Sequence, residues 1–243
     1  ATLMKTQPKF VQASAREVVT SPMRALNYVR RHVLAETLLP KLEAFSRNLY
    51  HERFQSIGYG GEAKAGNTGE VKLLRQKLLE FMAFTAYEPQ VRAKLFSWGK
   101  SYLGVNNGHN LNIKAIDSNL VTTALAVTIQ ESDAATLDLA IKHLKNTTNP
   151  TIRGQLLGGI YSANTPEKSD KILNLVVGNT LRSNERLRLL GKHMSQPENT
   201  DAVWKWVKEN YDLISQKIPT THLGYLPNTV AQFCNDKRAK EID

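Results

Sequence analysis

The segment from His51 to Gln55 comes closest to a catalytic metal motif in this sequence, reading His-Glu-Arg-Phe-Gln. A zinc peptidase needs His-Glu-x-x-His on one helix, because side chains four positions apart share a face and bring two imidazoles to the metal. The glutamate then stands beside the bound water. Here Gln55 takes the second ligand position, and an amide is a poor zinc ligand. We therefore expect no metal site and interpret the segment as an exposed helix end.

The other residues that could ligate a metal or act as nucleophiles are scattered. No two of the remaining histidines are four positions apart, and we expect these residues at the surface or at helix ends: His32, His109, His143, His193 and His222. Cys234 lies on an apolar helical face with no histidine or asparagine placed to activate it, so we expect it to pack rather than react. The sequence predicts no catalytic residue.

Three arginines are candidates for binding an anion. Arg153, Arg182 and Arg186 begin or flank expected helices, and Arg182 and Arg186 lie one helical turn apart. A guanidinium group can hold a carboxylate through two parallel hydrogen bonds, and two such groups at i,i+4 can share one anion. Ordinary surface charge is the alternative interpretation.

The composition is basic, with 32 Lys and Arg against 22 Asp and Glu and a formal charge of +10. Such a balance favours anionic partners. The charges are spread without a block of like residues and no nucleic-acid motif accompanies them, so we predict a solvated helical surface and no nucleic-acid partner. No apolar run approaches the roughly 20 residues that cross a bilayer. The single cysteine rules out an internal disulfide and leaves the compartment open.

Apolar side chains recur at helical spacing along most of the chain, and strand-like alternation is nearly absent. A polar residue before proline marks three expected helix starts, at Ser21-Pro22, Asn149-Pro150 and Thr165-Pro166. Three helix pairs begin about 32 residues apart, within the range of helical-hairpin repeats. We therefore predict an all-α fold, an irregular α-solenoid (superhelix) of antiparallel helix pairs. The expected pairs are 70–86 with 89–103, 118–131 with 133–146, 150–162 with 166–178, and 183–194 with 199–216.

Two details within these helices concern packing. Gly158-Gly159 falls inside an expected helix, where a glycine costs about 1 kcal/mol relative to alanine. Close approach of a neighbouring helix is one explanation, and a bend that lines a cavity is the other. Trp204 and Trp206 lie on different faces of one helix, and we expect Trp204 in the core and Trp206 partly exposed.

Several short motifs, in their order along the chain, resemble those of a known family. They are the helix end from Leu49-Tyr50 to Ile57-Gly58-Tyr59, the Leu73-Leu74-Arg75 triplet, the helix start Arg182-Ser183-Asn184-Glu185, and the Trp-rich helix after the Gln196-Pro197 turn. Together they resemble the C-terminal helical (HEAT-like) domain of zinc aminopeptidases of the aminopeptidase N, puromycin-sensitive and endoplasmic-reticulum aminopeptidase family.

The resemblance implies an all-helical superhelix whose concave face closes over the active-site chamber and restricts peptide access in the full-length enzyme. Residues 1–243 would form one helical-repeat domain, an excised fragment that lacks the catalytic domain and is non-catalytic by itself. The implied partners are the catalytic domain of the same polypeptide and the peptide substrate. Zinc would belong to the parent enzyme, with no cofactor in this fragment.

The resemblance also gives the three arginines a role. Arg153, Arg182 and Arg186 would line the concave face and hold the carboxylate of a bound peptide. The family often has a basic residue after its Asn-Pro turn, whereas this chain reads Gln196-Pro197-Glu198, which weakens carboxylate binding there. The alternative to the aminopeptidase domain is a free-standing helical-repeat adaptor that binds a protein or an anionic ligand on its concave face.

Residues 58–69 are the expected first site of internal proteolysis. Five glycines in this segment leave little side-chain burial to offset the entropy of ordering the backbone. Limited proteolysis followed by mapping of the cleaved bonds measures this directly. First cuts that cluster elsewhere inside the chain would contradict the expectation.

Overall fold

A computed structural model describes residues 9–60 and 68–226, and every regular element within these ranges is helical. The predicted all-α class is therefore confirmed, while the solenoid geometry stays a prediction. No helix of the described ranges is long and apolar enough to cross a membrane. The helices are α1 (Arg16–His32), a 3-10 turn (Glu36–Leu38), α2 (Leu39–Ile57), α3 (Gly69–Phe84), α4 (Pro89–Leu103), α5 (Val121–Glu131), α6 (Ala134–Asn146), α7 (Pro150–Ile160), α8 (Pro166–Val177), α9 (Ser183–Met194), α10 (Thr200–Glu209), α11 (Tyr211–Lys217) and α12 (Thr220–Leu223).

Two of the three predicted proline-marked starts are confirmed. The Asn149 side chain accepts hydrogen bonds from two backbone N–H groups in the first turn of α7, and the Thr165 hydroxyl accepts one in α8. The third is wrong, because Pro22 lies inside α1. An internal proline removes a helix hydrogen bond at a cost of about 3 kcal/mol. In α1 the ring is buried on the apolar face with Val19, Met23 and Leu26, and this packing offsets the loss.

The helix expected over 199–216 is interrupted at Asn210. The side-chain amide of Asn210 donates to the carbonyl of Trp206 at 2.9 Å, so it competes with the backbone for that acceptor. Helix α10 ends there and α11 begins at the next residue. Trp204 is buried and Trp206 is half-buried, which confirms the prediction for this pair.

The chain divides into two compact units, and whether residues 1–243 behave as one domain stays a prediction. The first unit comprises Ala1–Trp98 and Lys114–Thr123. Its core contains Tyr50, whose ring lies 4.8 Å from that of Phe81 and whose hydroxyl donates to the Val19 carbonyl at 2.7 Å. This one side chain of α2 therefore contacts both α1 and α3. Tyr59 ends the motif that begins at Leu49, and its ring meets that of Phe54 edge to face.

The second unit comprises Gly99–Ile113 and Ala124–Asp243, and glycines bring its helices together. A Cβ atom built on Gly159 of α7 would lie 2.5 Å from the Cβ of Leu125 on α5. A Cβ on Gly99 of α4 would collide with the Thr128 hydroxyl of α5. Of the two explanations for Gly159, close approach of a neighbouring helix is therefore confirmed.

We predict opposite effects for two glycine-to-alanine substitutions in the same helix. Gly159→Ala forces a methyl group against Leu125 and should lower the free energy of unfolding by about 1–3 kcal/mol. A Cβ atom added to Gly154 would meet nothing within 4 Å, so Gly154→Ala should raise it by up to about 1 kcal/mol. Urea unfolding followed by circular dichroism measures both. Equal effects of the two substitutions would contradict the close helix approach.

Candidate functional site

The start of α9 contains two of the three predicted anion-binding arginines, Arg182 and Arg186. It also contains Glu185, the partner of the third, Arg153. Glu185 lies in the first turn of α9, and its carboxylate accepts a hydrogen bond from the backbone N–H of Arg182 at 2.8 Å. The N–H of Glu185 in turn donates to the Arg182 carbonyl at 3.0 Å. A glutamate at this position accepts a hydrogen bond from an N–H group that has no acceptor within the helix. Its negative charge is also stabilised by the positive end of the helix dipole.

Arg153 reaches the same carboxylate from α7. Its Nε and one terminal nitrogen donate to the two oxygens of Glu185 at 2.6 and 2.7 Å, which makes the pair bidentate. Two further N–H groups donate to the carbonyls of Leu144, at 2.9 Å, and Thr180, at 2.8 Å. Arg153 is only 6% exposed. Four of the five N–H groups of Arg153 therefore donate to acceptors within the chain.

The pKa values of the pair follow from this geometry. Burial acts to raise the pKa of Glu185, but hydrogen bonds from Arg153 and from the Arg182 N–H outweigh it and hold the pKa below its usual value. The hydrogen bond to Glu185 raises the pKa of Arg153. Both groups are charged at neutral pH, and a buried pair of this kind costs about 3–5 kcal/mol when one partner alone is removed.

Arg186 is also directed inward. It is 7% exposed, and its terminal nitrogens donate to the carbonyls of Val176 and Leu181. Its Nε has no hydrogen-bond partner among the described residues. Arg182, in contrast, is exposed. The structure therefore does not present Arg182 and Arg186 together to a shared external anion, which differs from the expectation based on their spacing.

Other buried basic side chains also donate to carbonyls at the carboxyl ends of helices. Arg92 in α4 donates to the carbonyl of Ala83 near the end of α3, at 3.0 Å. Lys168 in α8 is 3% exposed and donates to the carbonyls of Ile129, Gln130 and Ser132 at the end of α5, at 2.8–3.2 Å. These carbonyls lack partners within their own helix, and a buried cation satisfies them and complements the negative helix end.

This arrangement was not predicted from the sequence, although the spacing of the basic residues carries a signal for it. Arg92 follows its acceptor Ala83 by nine residues, and Arg153 follows Leu144 by the same interval. Arg186 follows Val176 by ten. A basic residue at the fourth position of a helix, after a short connection, thus marks a cap on the preceding helix.

A second polar cluster that the sequence did not predict surrounds His193, at the end of α9. Its Nε2 lies 2.8 Å from the Ser169 hydroxyl, and its Nδ1 lies 3.0 Å from the Tyr161 carbonyl. Since a carbonyl only accepts, Nδ1 carries the proton and Nε2 accepts from Ser169. Asn199 lies 3.2 Å from Nδ1 and donates to the Ala163 carbonyl at 2.7 Å.

The cluster has the residue types of a Ser-His-Asn catalytic set, but its burial points to another role. His193 is fully buried and Ser169 is 5% exposed, so a substrate has no access to the hydroxyl. The expectation of a surface or helix-end position is met at a helix end, because His193 lies in the last turn of α9. Burial lowers the pKa of His193, although the bond to Tyr161 opposes this. The cluster joins α8, α9 and the connection after α7.

The segment from His51 to Gln55 lies in the last two turns of α2, as expected for a helix end. His51 and Gln55 are exposed, Phe54 is buried, and Glu52 accepts a hydrogen bond from Gln12 at 3.2 Å. Within residues 9–60 and 68–226, no group of three or more His, Cys, Asp or Glu side chains could hold a metal ion. Cys234 lies outside the described residues.

A family model described as the ERAP1-like C-terminal domain matches residues 5–243. The chain belongs to this family. The family resemblance inferred from the sequence is thus confirmed.

Two curated relatives of this family domain are aminopeptidases. Aminopeptidase M1-B of Oryza sativa subsp. japonica is 24% identical over 121 residues, which cover 49% of this chain and 14% of that protein. Aminopeptidase N of Lactococcus lactis subsp. lactis is 24% identical over 174 residues, which cover 71% of this chain and 19% of that protein. The chain therefore spans less than a fifth of the length of either relative.

We predict that His193 makes folding stability pH-dependent. The folded protein holds His193 neutral, so below the ordinary histidine pKa of 6.5 the unfolded state binds more protons. Stability should therefore be fully present above this value and fall as the pH falls below it. Urea unfolding across this range measures the slope for the wild type and for His193→Gln, which should be flatter. The exposed His51→Gln is the control, and an equal slope in all three proteins would contradict the prediction.

Proposed function

We propose that this chain is the C-terminal domain of a zinc aminopeptidase, non-catalytic by itself, which closes over the active-site chamber and restricts peptide access in the full-length enzyme. The observation that carries the proposal is the family match over residues 5–243. The names of the two relatives support it, since both are aminopeptidases. The matches cover at most 19% of those proteins, so the proposal assigns the zinc and the peptide-cleaving residues to a catalytic domain in the same polypeptide.

In this proposal the chain contributes a rigid wall rather than reacting groups. The Arg153–Glu185 pair and the His193 cluster connect neighbouring helices through hydrogen bonds within the chain. A fixed wall can limit which peptides enter without a large conformational cost for each one, because preorganised surfaces lose little entropy on binding.

We assign peptide-carboxylate binding to Arg182, in preference to Arg153 and Arg186. Arg182 is exposed, and its backbone is held by Glu185, which Arg153 in turn clamps. The backbone that carries its guanidinium group is therefore held in place at the beginning of α9. Arg153 and Arg186 act as positioning residues, because their nitrogens donate to protein oxygens.

Experiments on the isolated chain test whether catalysis and zinc binding belong to another domain of the polypeptide. We expect no hydrolysis of aminoacyl chromogenic substrates and no stoichiometric zinc in the protein by metal analysis. The natural polypeptide should contain an upstream His-Glu-x-x-His in the same reading frame. One tightly held zinc per isolated chain would contradict the proposal, and a natural start codon directly before Ala1 would favour the adaptor function.

The full-length enzyme tests the role of Arg182. The ratio of kcat/KM for free-acid over amidated peptides should fall about tenfold in Arg182→Ala, since a charge-assisted hydrogen bond contributes about 1.5 kcal/mol or more. Arg188→Ala is the matched control, because Arg188 is exposed on the same helix. An unchanged ratio in Arg182→Ala, or an equal fall in Arg188→Ala, would show that Arg182 does not bind the carboxylate.

A further inference from the structure

The connection after α4 contains the only Asn-Gly pair in the sequence, Asn107-Gly108. The pair lies in a tight turn in which the Gly104 carbonyl accepts hydrogen bonds from the N–H groups of Asn107, at 2.9 Å, and His109, at 3.0 Å. Residues 106–110 are all exposed. The turn thus presents an asparagine side chain and the following glycine together to solvent.

The chemistry of this pair depends on the backbone nitrogen of Gly108. An amide nitrogen can attack the side-chain carbonyl carbon of the preceding asparagine, provided that nothing crowds it or holds its hydrogen. Gly108 has no Cβ to obstruct the approach, and its N–H has no hydrogen-bond partner among the described residues. Its φ of +61° lies in the left-handed region, which glycine adopts without strain.

We propose that Asn107 is a site of spontaneous deamidation through a cyclic imide. The Gly108 nitrogen loses its proton and forms a bond to Cγ of Asn107, the Cγ–Nδ2 bond breaks, and Nδ2 leaves as ammonia. Water then adds to one of the two ring carbonyls and opens the ring. Opening at one carbonyl gives aspartate and opening at the other gives isoaspartate. No oxidant, reductant or cofactor takes part.

The products alter the turn in two ways. Each adds a carboxylate and lowers the formal charge of the chain by one from +10. Isoaspartate also routes the backbone through the side chain, which lengthens the turn by one atom. The turn has little room for this, because a Cβ on Gly104 would already collide with the carbonyl of Asn110. We therefore expect the isoaspartate form to lose the two hydrogen bonds to Gly104.

Peptide mapping by mass spectrometry tests the proposal on the folded chain incubated in mildly alkaline buffer, where the attacking amide is more often deprotonated. Asn107 should deamidate several times faster than Asn106 and Asn110, which lie in the same exposed turn but precede larger residues. Asparagine also tolerates the left-handed region, so Gly108→Asn should keep the turn and slow the reaction at Asn107 to the rate of its neighbours.

Two results would overturn the proposal. One is a deamidation rate at Asn107 of the folded protein that is no greater than the rates at Asn106 and Asn110. This result would overturn the proposal even if the urea-unfolded chain reacts faster at Asn107, because the native turn would then protect the site. The other is an unchanged rate in Gly108→Asn, provided that circular dichroism shows the variant folded. Faster reaction at Asn107 that Gly108→Asn abolishes would support it.

Discussion

The bidentate ion pair between Arg153 and Glu185 is the interaction on which the second unit most depends. One guanidinium group connects α7 to the end of α6, through Leu144, and to the residues before α9, through Thr180. The same carboxylate caps α9 through the Arg182 N–H. Because Arg153 is buried and the side chain of Glu185 is only 12% exposed, leaving either charge without its partner carries a large desolvation cost. The proposed role of Arg182 depends on this pair, since it fixes the backbone from which that side chain extends.

The buried Lys and Arg side chains account for part of the basic composition. Four of them donate hydrogen bonds to backbone carbonyls at the end of a preceding helix: Arg92, Arg153, Arg186 and Lys168. These side chains therefore stabilise the interior of the protein. A helix end that is packed away from water needs such a partner. The excess of Lys and Arg therefore reflects, in part, the number of buried helix ends. It is not by itself a sign of an anionic partner.

The sequence predicted the helices well because their apolar faces and asparagine or threonine caps are local signals, as at Asn149 and Thr165. It failed where a tertiary contact decided the outcome. Pro22 sits inside α1 because its ring packs in the core, and Arg153 and Arg186 turn inward because carbonyls of a preceding helix are close. The His193 cluster unites residues from 161 to 199, and no local pattern shows that they meet.

A double-mutant cycle on Arg153 and Glu185 tests the central claim most directly, with the free energy of unfolding of Arg153→Met, Glu185→Gln and the double variant measured in urea. We expect each single substitution to cost about 3–5 kcal/mol, because it leaves one buried group without its partner. The double variant should cost much less than the sum. Additivity to within about 0.5 kcal/mol would show that the two side chains act independently, and would contradict the account.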